Sequence, residues 1–153
     1  MTRASDGTLP GVHKILVLRP NAVGDFVFAL PALHALRYTY PAAEIWYVGR
    51  QWHAEFLNAR PGPIDRVVVI PPVPGVGARE DGQVDQAPVD AFIAEMRTEG
   101  FDLAVQMFGG GRYSNPFIKQ LGARLTIGAR TPDAAMLDRW IAYGDFNNRR
   151  LEM

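Results

Sequence analysis

The chain has 153 residues, of which 48% are hydrophobic and 21% are charged, a composition typical of a soluble globular domain and not of a disordered chain. Sixteen basic residues balance sixteen acidic residues, so no overall positive field favours nucleic acid as a partner. The sequence contains no cysteine, which excludes disulfides, thiol catalysis and cysteine-ligated zinc.

The N-terminal residues 1–12 are polar and lack the apolar segment of a signal peptide, so we interpret them as a flexible leader. No apolar run approaches the roughly 20 residues that a membrane span needs. We therefore expect a cytoplasmic protein with one domain over 13–144. Residues 145–153 would begin a linker or a further helix.

The first half of the chain alternates between strand and helix patterns. "HKILVL" (13–18) is typical of a strand buried on both faces. "GDFVFALPALHALRYTYP" (24–41) has helical periodicity, with Pro31 expected to kink the helix or restart it. A strand at 44–49, a short helix at 51–59 and a strand at 65–71 follow.

The second half begins with residues 71–88, rich in proline and glycine, which predict a long surface loop and a candidate mobile segment. The remaining predictions are an amphipathic helix (89–100), a strand (101–108), a glycine-rich turn (109–115), a helix (115–123) whose first residues Asn115 and Pro116 form a cap, and a strand (124–129). The tail (137–153) is ambiguous between a helical turn and an irregular return.

This alternation predicts an α/β, Rossmann-like three-layer domain with a mainly parallel sheet. Ligands of such sheets bind beyond the carboxyl ends of the strands. The first of these turns, "RPNAVGD", has one glycine and not the G-x-G-x-x-G pattern, and no Gly-Lys-Ser/Thr occurs, so the usual dinucleotide and phosphate loops are absent. The three histidines fall on different elements, so we expect no metal site.

Basic residues gather at the predicted binding edge, which favours an anionic ligand over a merely solvated surface. They are Arg19, Arg50, Arg112 and Arg130, with Lys119 one turn into a helix. The run Gly109–Gly111 either lets a ligand or another backbone segment approach closely or is a flexible turn. Asp25 is either a first-turn carboxylate satisfied by the helix or a general base at the carboxyl edge of the first strand.

Two stretches resemble family 9 glycosyltransferases, the ADP-heptose:lipopolysaccharide heptosyltransferases and their relatives. They are "KILVLRPNAVGDFVFALPALHALRYTYPAAEIWYVGR" and "FDLAVQMFGGGRYSNPFIKQLGARLTIG". The resemblance implies the N-terminal, acceptor-side half of a GT-B fold. It implies an inverting, metal-independent transfer in which Asp25, facing an open cleft, is the general base. The turn residues 20–23 and Gln106 depart from the forms common in the heptosyltransferases, which leaves the acceptor undefined.

The resemblance implies no cofactor. A nucleotide-sugar donor such as ADP-heptose would bind mainly a C-terminal domain, so this chain alone should be inactive. The partner would be a glycan or glycolipid acceptor such as lipopolysaccharide core, with peripheral contact to the inner face of the cytoplasmic membrane and an exposed domain face that could dimerise in a crystal. By position, the residues expected at the acceptor are Arg19, Asn21, Gly24, Arg50, Gly110, Gly111 and Arg112. The alternative is a stand-alone Rossmann-like binding module in which Asp25 only caps a helix.

Overall fold

The computed structural model describes residues 7–144, so residues 1–6 of the expected leader and all of the expected linker at 145–153 lie outside the described residues. Six strands form one sheet, and every neighbouring pair is parallel. The predicted α/β, Rossmann-like fold is confirmed. No helix in the described part of the chain is long and apolar enough to cross a membrane.

The elements follow the predicted order closely. The strands of the main sheet are β1 (Lys14–Leu18), β2 (Glu44–Gly49), β3 (Arg66–Val69), β6 (Leu103–Gln106), β7 (Leu125–Arg130) and β8 (Arg139–Ala142), and their spatial order is β3-β2-β1-β6-β7-β8. The short strands β4 (Val73–Pro74) and β5 (Gly77–Ala78) follow β3 in the sequence and form a separate two-stranded sheet. The helices are α1 (Val23–Thr39), α2 (Gln51–Leu57), α3 (Gln86–Thr98) and α4 (Ser114–Lys119). The first helix, α1, runs through Pro31 without restarting.

Two hydrophobic clusters lie on opposite faces of the sheet, which makes the domain three layers thick. Ile15 and Val17 of β1 pack in one cluster with residues of α1 and α2. Leu16 and Leu18 pack in the other with residues of α3 and α4. Successive residues of β1 alternate between the two clusters because the side chains of a strand point to opposite faces. Since both faces of β1 are covered, all of its inner residues are apolar.

The segment after β3 is more ordered than predicted. Val73 is 7% exposed and Val76 is fully buried in the core, where they join the α3 face of the sheet. The short strands β4 and β5 pair with each other. The α3 helix begins at Gln86 because the Asp85 carboxylate accepts a hydrogen bond from the Ala87 N–H (3.1 Å) and caps it.

The strand β8 is absent from the sequence-based prediction, which left the tail ambiguous. The Asp138 carboxylate accepts hydrogen bonds from the main-chain N–H (2.7 Å) and the hydroxyl (2.9 Å) of Thr126 and so brings the chain alongside β7. All four residues of β8 are exposed, and the short apolar run at 140–143 fits a strand and a helical turn equally, so the sequence does not identify the strand.

Candidate functional site

Asp25 lies in the first turn of α1, directly after the turn that leaves the carboxyl end of β1. Its side chain is 47% exposed. It is not the N-cap of the helix, because that residue is Ala22, whose side chain makes no cap hydrogen bond. The positive end of the helix dipole nevertheless favours a negative charge at this position. The carboxylate is therefore accessible and is not used in capping α1.

The side chain of Arg19, the residue after β1, is largely buried and bonds to main-chain oxygens of the protein itself. Its Nε donates to the main-chain oxygen of Asp25 (3.0 Å), its Nη1 donates to the main-chain oxygen of Met107, and its Nη2 lies 3.8 Å from Asp25 Oδ1. Only 18% of the side chain is exposed. The Tyr47 hydroxyl donates to the Arg19 carbonyl oxygen (2.6 Å), and burial raises the pKa of Tyr47, which keeps that hydroxyl protonated.

Arg50, the residue after β2, is held differently. Its Nε donates to the main-chain oxygen of Pro20 (2.7 Å), and its main-chain N–H donates to Nδ1 of His53 (2.8 Å). The residue is otherwise exposed. Arg50 thus carries an anchored guanidinium at the same edge of the sheet as Asp25, where it can reach a ligand.

The rings of Tyr47, Trp52 and His53 pack together beside the end of β2. The His53 imidazole is fully buried, stacks on Trp52 at a centroid distance of 3.6 Å and lies 5.0 Å from the Tyr47 ring. Burial, followed by the charge of Arg50, lowers the pKa of His53 from 6.5 to about 4. A β-carbon on Gly49 would lie 2.8 Å from the His53 ring, so only glycine fits at the end of β2.

Two buried polar atoms near this edge have no hydrogen-bond partner among the described residues: Asn21 Oδ1 and His53 Nε2. Because His53 Nδ1 accepts from Arg50, the proton of the neutral ring is assigned to Nε2. One atom is therefore an acceptor and the other a donor. The sequence predicts Asn21 at the glycan acceptor but gives His53 only an ordinary packing or surface role, because an isolated histidine carries no motif.

The glycine-rich turn after β6 is filled by the protein's own side chains. A β-carbon on Gly110 would lie 2.7 Å from Thr131 Cγ2, and one on Gly111 would lie 2.3 Å from Asn115 Nδ2. Gly111 also has φ +91°, in the left-handed region. Gly110 and Gly111 are therefore explained by close packing against side chains of the same chain, which the two alternatives from the sequence, close approach and a flexible turn, did not include.

A buried amide network fixes this turn. Gln106 Nε2 donates to Asn115 Oδ1 (2.7 Å), and Asn115 Nδ2 donates to the main-chain oxygen of Ala135 (3.0 Å). Asn115 is fully buried inside α4, whose N-cap is Tyr113. The predicted capping role of Asn115 is therefore wrong, because its side chain turns into the core and leaves the helix end.

The other predicted basic residues are more scattered. Arg112 is exposed, with its guanidinium 5.4 Å from the Tyr113 ring. Arg130 donates to the main-chain oxygens of Pro132 (3.0 Å) and Ala134 (2.8 Å). Lys119 lies in the last turn of α4. Because α4 leads away from the carboxyl end of β6, Lys119 is not part of the predicted edge cluster.

The structure therefore brings one group of predicted residues together at the ends of β1 and β2: Arg19, Asn21, Gly24, Asp25 and Arg50. Gly110 belongs to a second group and packs towards Thr131 and Tyr143, with no hydrogen bond to the first group among residues 7–144. The same residues contain no cluster of three histidine, aspartate or glutamate side chains that could hold a metal ion.

Comparison with solved structures identifies glycosyltransferases. The chain is similar to a family 9 glycosyltransferase from Veillonella parvula (TM-score 0.63, 16% identity, covering 84% of this chain and 36% of that chain). It is also similar to the E. coli heptosyltransferase WaaC bound to ADP-2-deoxy-2-fluoro heptose (TM-score 0.64, 19% identity, covering 84% of this chain and 42% of that chain). E. coli ADP-heptose lipopolysaccharide heptosyltransferase II matches less closely (TM-score 0.54, 20% identity, covering 75% of this chain and 30% of that chain).

No protein-family model matches the sequence. The comparison with curated proteins also finds no match. The matched region spans less than half the length of each structural neighbour. At identities of 16–20%, these neighbours define the fold. The chain has the Rossmann-like fold found in family 9 glycosyltransferases and heptosyltransferases, in agreement with the resemblance that its sequence shows.

Proposed function

We propose that this chain is the acceptor-binding part of an inverting, metal-independent glycosyltransferase. The reaction would transfer a heptose-like sugar from a nucleotide sugar to a cell-envelope glycan such as lipopolysaccharide core. One observation carries the proposal. The half-exposed Asp25 carboxylate stands at the carboxyl edge of β1, in a fold shared with enzymes described as heptosyltransferases.

Asp25 is the proposed general base. As the acceptor oxygen bonds to the anomeric carbon of the donor sugar, its proton passes to the Asp25 carboxylate. The bond from the anomeric carbon to the donor phosphate breaks, and its electron pair leaves with the nucleotide diphosphate. Because attack and departure occur on opposite faces of the sugar, one displacement inverts the anomeric centre. A base that acts in this way must reach the acceptor hydroxyl directly, which an exposed carboxylate can do.

The acceptor would bind at the edge of the sheet formed by the ends of β1 and β2. Arg50 offers an exposed guanidinium there for a carboxylate or phosphate group of the acceptor. Asn21 and Gly24 border the same turn. The donor, for example ADP-heptose, is proposed to bind mainly a second domain equivalent to the part of the structural neighbours that this chain does not span. We therefore propose that transfer requires both halves.

The test is a transfer assay on the complete product of the gene that encodes this chain, with a panel of sugar nucleotides and deacylated lipopolysaccharide acceptors. Asp25→Asn keeps the size of the side chain but removes the base, and should lower kcat by about a hundredfold or more. Asp81→Asn is the matched control, because Asp81 is 74% exposed and lies in the loop before α3. Transfer by Asp25→Asn at the wild-type rate would refute the assignment of the base.

The proposal includes peripheral contact with a membrane that carries a glycolipid acceptor. The outward face of α1 supports this contact, because Val27, Phe28 and Tyr38 are 54%, 75% and 89% exposed. The helix has an acidic residue, Asp25, in its first turn and a basic residue, Arg37, in its last turn. Flotation with phosphatidylethanolamine–phosphatidylglycerol vesicles tests it. Phe28→Ser should reduce binding, and the exposed-site control Phe56→Ser should not. Equal binding by both variants would contradict this part of the proposal.

A further inference from the structure

We infer that Arg19 is a positioning residue that fixes Asp25 and is not a ligand of the acceptor. This inference rests on the proposed function, since it concerns the same carboxylate. The sequence alone assigns Arg19 and Arg50 the same role, because each is an arginine that follows a strand of the parallel sheet. The structure gives the two guanidinium groups different surroundings.

The hydrogen-bonding capacity of Arg19 is directed at main-chain oxygens. Nε donates to the Asp25 oxygen at 3.0 Å, and Nη1 donates to the Met107 oxygen. These two oxygens belong to the first turn of α1 and to the residue after β6. The planar guanidinium holds its donors in a fixed geometry, so one side chain links the helix that carries the carboxylate to the neighbouring strand.

The main chain of Arg19 is itself fixed from the other side. Its N–H donates to the Val48 oxygen (3.2 Å), and its carbonyl oxygen accepts from the Tyr47 hydroxyl (2.6 Å). Arg19 therefore connects the ends of β1, β2 and β6 with the start of α1. This arrangement limits the movement of Asp25 relative to the sheet edge where the acceptor would lie.

The third guanidinium nitrogen of Arg19, Nη2, faces the Asp25 carboxylate, so its position is explained without a bound acceptor. Nη2 lies 3.8 Å from Asp25 Oδ1, a separation typical of an ion pair without a direct hydrogen bond. With 18% of the side chain exposed, Arg19 has little surface to offer an acceptor. It can keep the carboxylate oriented while leaving its oxygens available to a hydroxyl group.

Arg37 provides a matched control at the other end of α1. Its guanidinium donates to the main-chain oxygens of Pro63 (3.0 Å) and Ala43 (2.6 Å), and its Nη2 lies 2.5 Å from an Asp65 carboxylate oxygen. It thus bridges main-chain oxygens and a carboxylate as Arg19 does, but in the last turn of the helix. A loss of general stability should affect variants of both residues, whereas a loss of Asp25 positioning should affect only Arg19.

The experiment measures kcat, acceptor KM and melting temperature for Arg19→Lys, Arg37→Lys, Asp25→Asn and Arg19→Lys/Asp25→Asn in the complete gene product. Lysine keeps the charge but has a single nitrogen in place of the two that donate to the main-chain oxygens of Asp25 and Met107. We expect Arg19→Lys to lower kcat by about tenfold to a hundredfold, because small displacements of a catalytic group have effects of this size. The acceptor KM should change less than about threefold, a bound we set as the criterion for an Arg19 that does not bind acceptor. Arg37→Lys should keep the wild-type kcat even if it melts at a lower temperature.

Three results would overturn the inference: a rise in the acceptor KM of Arg19→Lys beyond the threefold bound, a wild-type kcat for Arg19→Lys, or the same fold-reduction of the rate by Arg19→Lys in the Asp25→Asn background as in the wild type. The third would show that Arg19 acts independently of Asp25. If Asp25→Asn alone transfers sugar at the wild-type rate, the proposed function fails first, so the two failures are distinguishable. Should Arg19→Lys not fold, Tyr47→Phe is judged by the same kcat and KM criteria, because it loosens Arg19 without removing it.

Discussion

The main-chain N–H of Arg50 donates a hydrogen bond to Nδ1 of His53 at 2.8 Å. The imidazole is fully buried, and the Arg50 charge contributes to lowering its pKa. This contact requires the ring to be neutral, because a protonated imidazole has no free lone pair on Nδ1. It joins the turn after β2 to the first turn of α2. The position of Arg50 at the sheet edge therefore depends on the protonation state of His53.

The first prediction concerns stability at acidic pH. Because the pKa of His53 is lowered from 6.5 to about 4 in the folded protein, the unfolded chain binds a proton first as the pH falls. Stability due to this residue is complete above pH 6.5 and declines between pH 6.5 and 4. A shift of this size corresponds to about 3 kcal/mol. Urea unfolding of the wild type at several pH values should show this decline.

His53→Gln should remove most of that decline, since glutamine does not titrate but can still offer an acceptor to the Arg50 N–H. His34→Gln is the control, because His34 is an exposed residue of α1. It should keep the wild-type pH dependence. A decline that persists unchanged in His53→Gln would assign the acid sensitivity to other groups.

Prediction from sequence worked best where burial imposes a pattern. The apolar run of β1 reveals a strand covered on both faces, and the alternation of such runs with helices predicts the parallel sheet. The apolar run of the exposed strand β8 is too short to distinguish a strand from a helical turn, and the position of β8 depends on contacts between Asp138 and Thr126 that a local stretch of sequence does not reveal. The position of β8 is therefore set by contacts between residues that are distant in the sequence.

The candidate site shows the same limit. The position of Asp25 at the start of a helix follows from the sequence, because Gly24-Asp25 comes directly after a strand and a turn. The sequence cannot show whether an arginine is free or already bonded to main-chain oxygens, so Arg19 and Arg50 were given one role. Asn115 resembled a cap because Asn-Pro is typical of a helix start, but the buried amide of Gln106 draws its side chain inward.

A second prediction separates two glycines of the turn after β6. Gly111→Ala should destabilise the protein by about 3 kcal/mol, since it combines left-handed strain with overpacking. A β-carbon there would lie 2.3 Å from Asn115 Nδ2, and φ is +91°. At Gly109 φ is +64°, and an added β-carbon would have no neighbour within 4 Å among residues 7–144, so Gly109→Ala should cost only about 1 kcal/mol. Equal free energies of unfolding for the two variants would refute close packing as the reason for Gly111.

A third prediction concerns the strand that the sequence did not reveal. Asp138→Ala removes the acceptor for the Thr126 N–H and hydroxyl, and should cost about 1–2 kcal/mol. The loss should be local, because β8 is an exposed edge strand. Hydrogen-exchange mass spectrometry should show faster exchange in peptides covering 139–143, with β1 and β6 unchanged.

The control for β8 is Asp90→Ala, which removes an exposed carboxylate on α3 that accepts from the Gln86 side chain. It should leave exchange at 139–143 as in the wild type. Wild-type exchange of the same peptides in Asp138→Ala would mean that β8 is held by other contacts.

The last prediction tests the second arginine at the edge. Arg50→Gln should raise the acceptor KM by about tenfold while kcat changes little, because a charge-assisted hydrogen bond to an acceptor carboxylate or phosphate would be lost. The substitution removes the Nε contact with the Pro20 oxygen but keeps the main-chain N–H that binds His53, so the turn after β2 should keep its position. Arg79→Gln is the control, since that side chain is 86% exposed and pairs with Asp81. If Arg50→Gln binds acceptor as tightly as Arg79→Gln does, the anion-binding role of Arg50 is wrong. The opposite result, a raised KM for Arg50→Gln beside a lowered kcat for Arg19→Lys, would show that adjacent strand ends supply separate binding and positioning arginines.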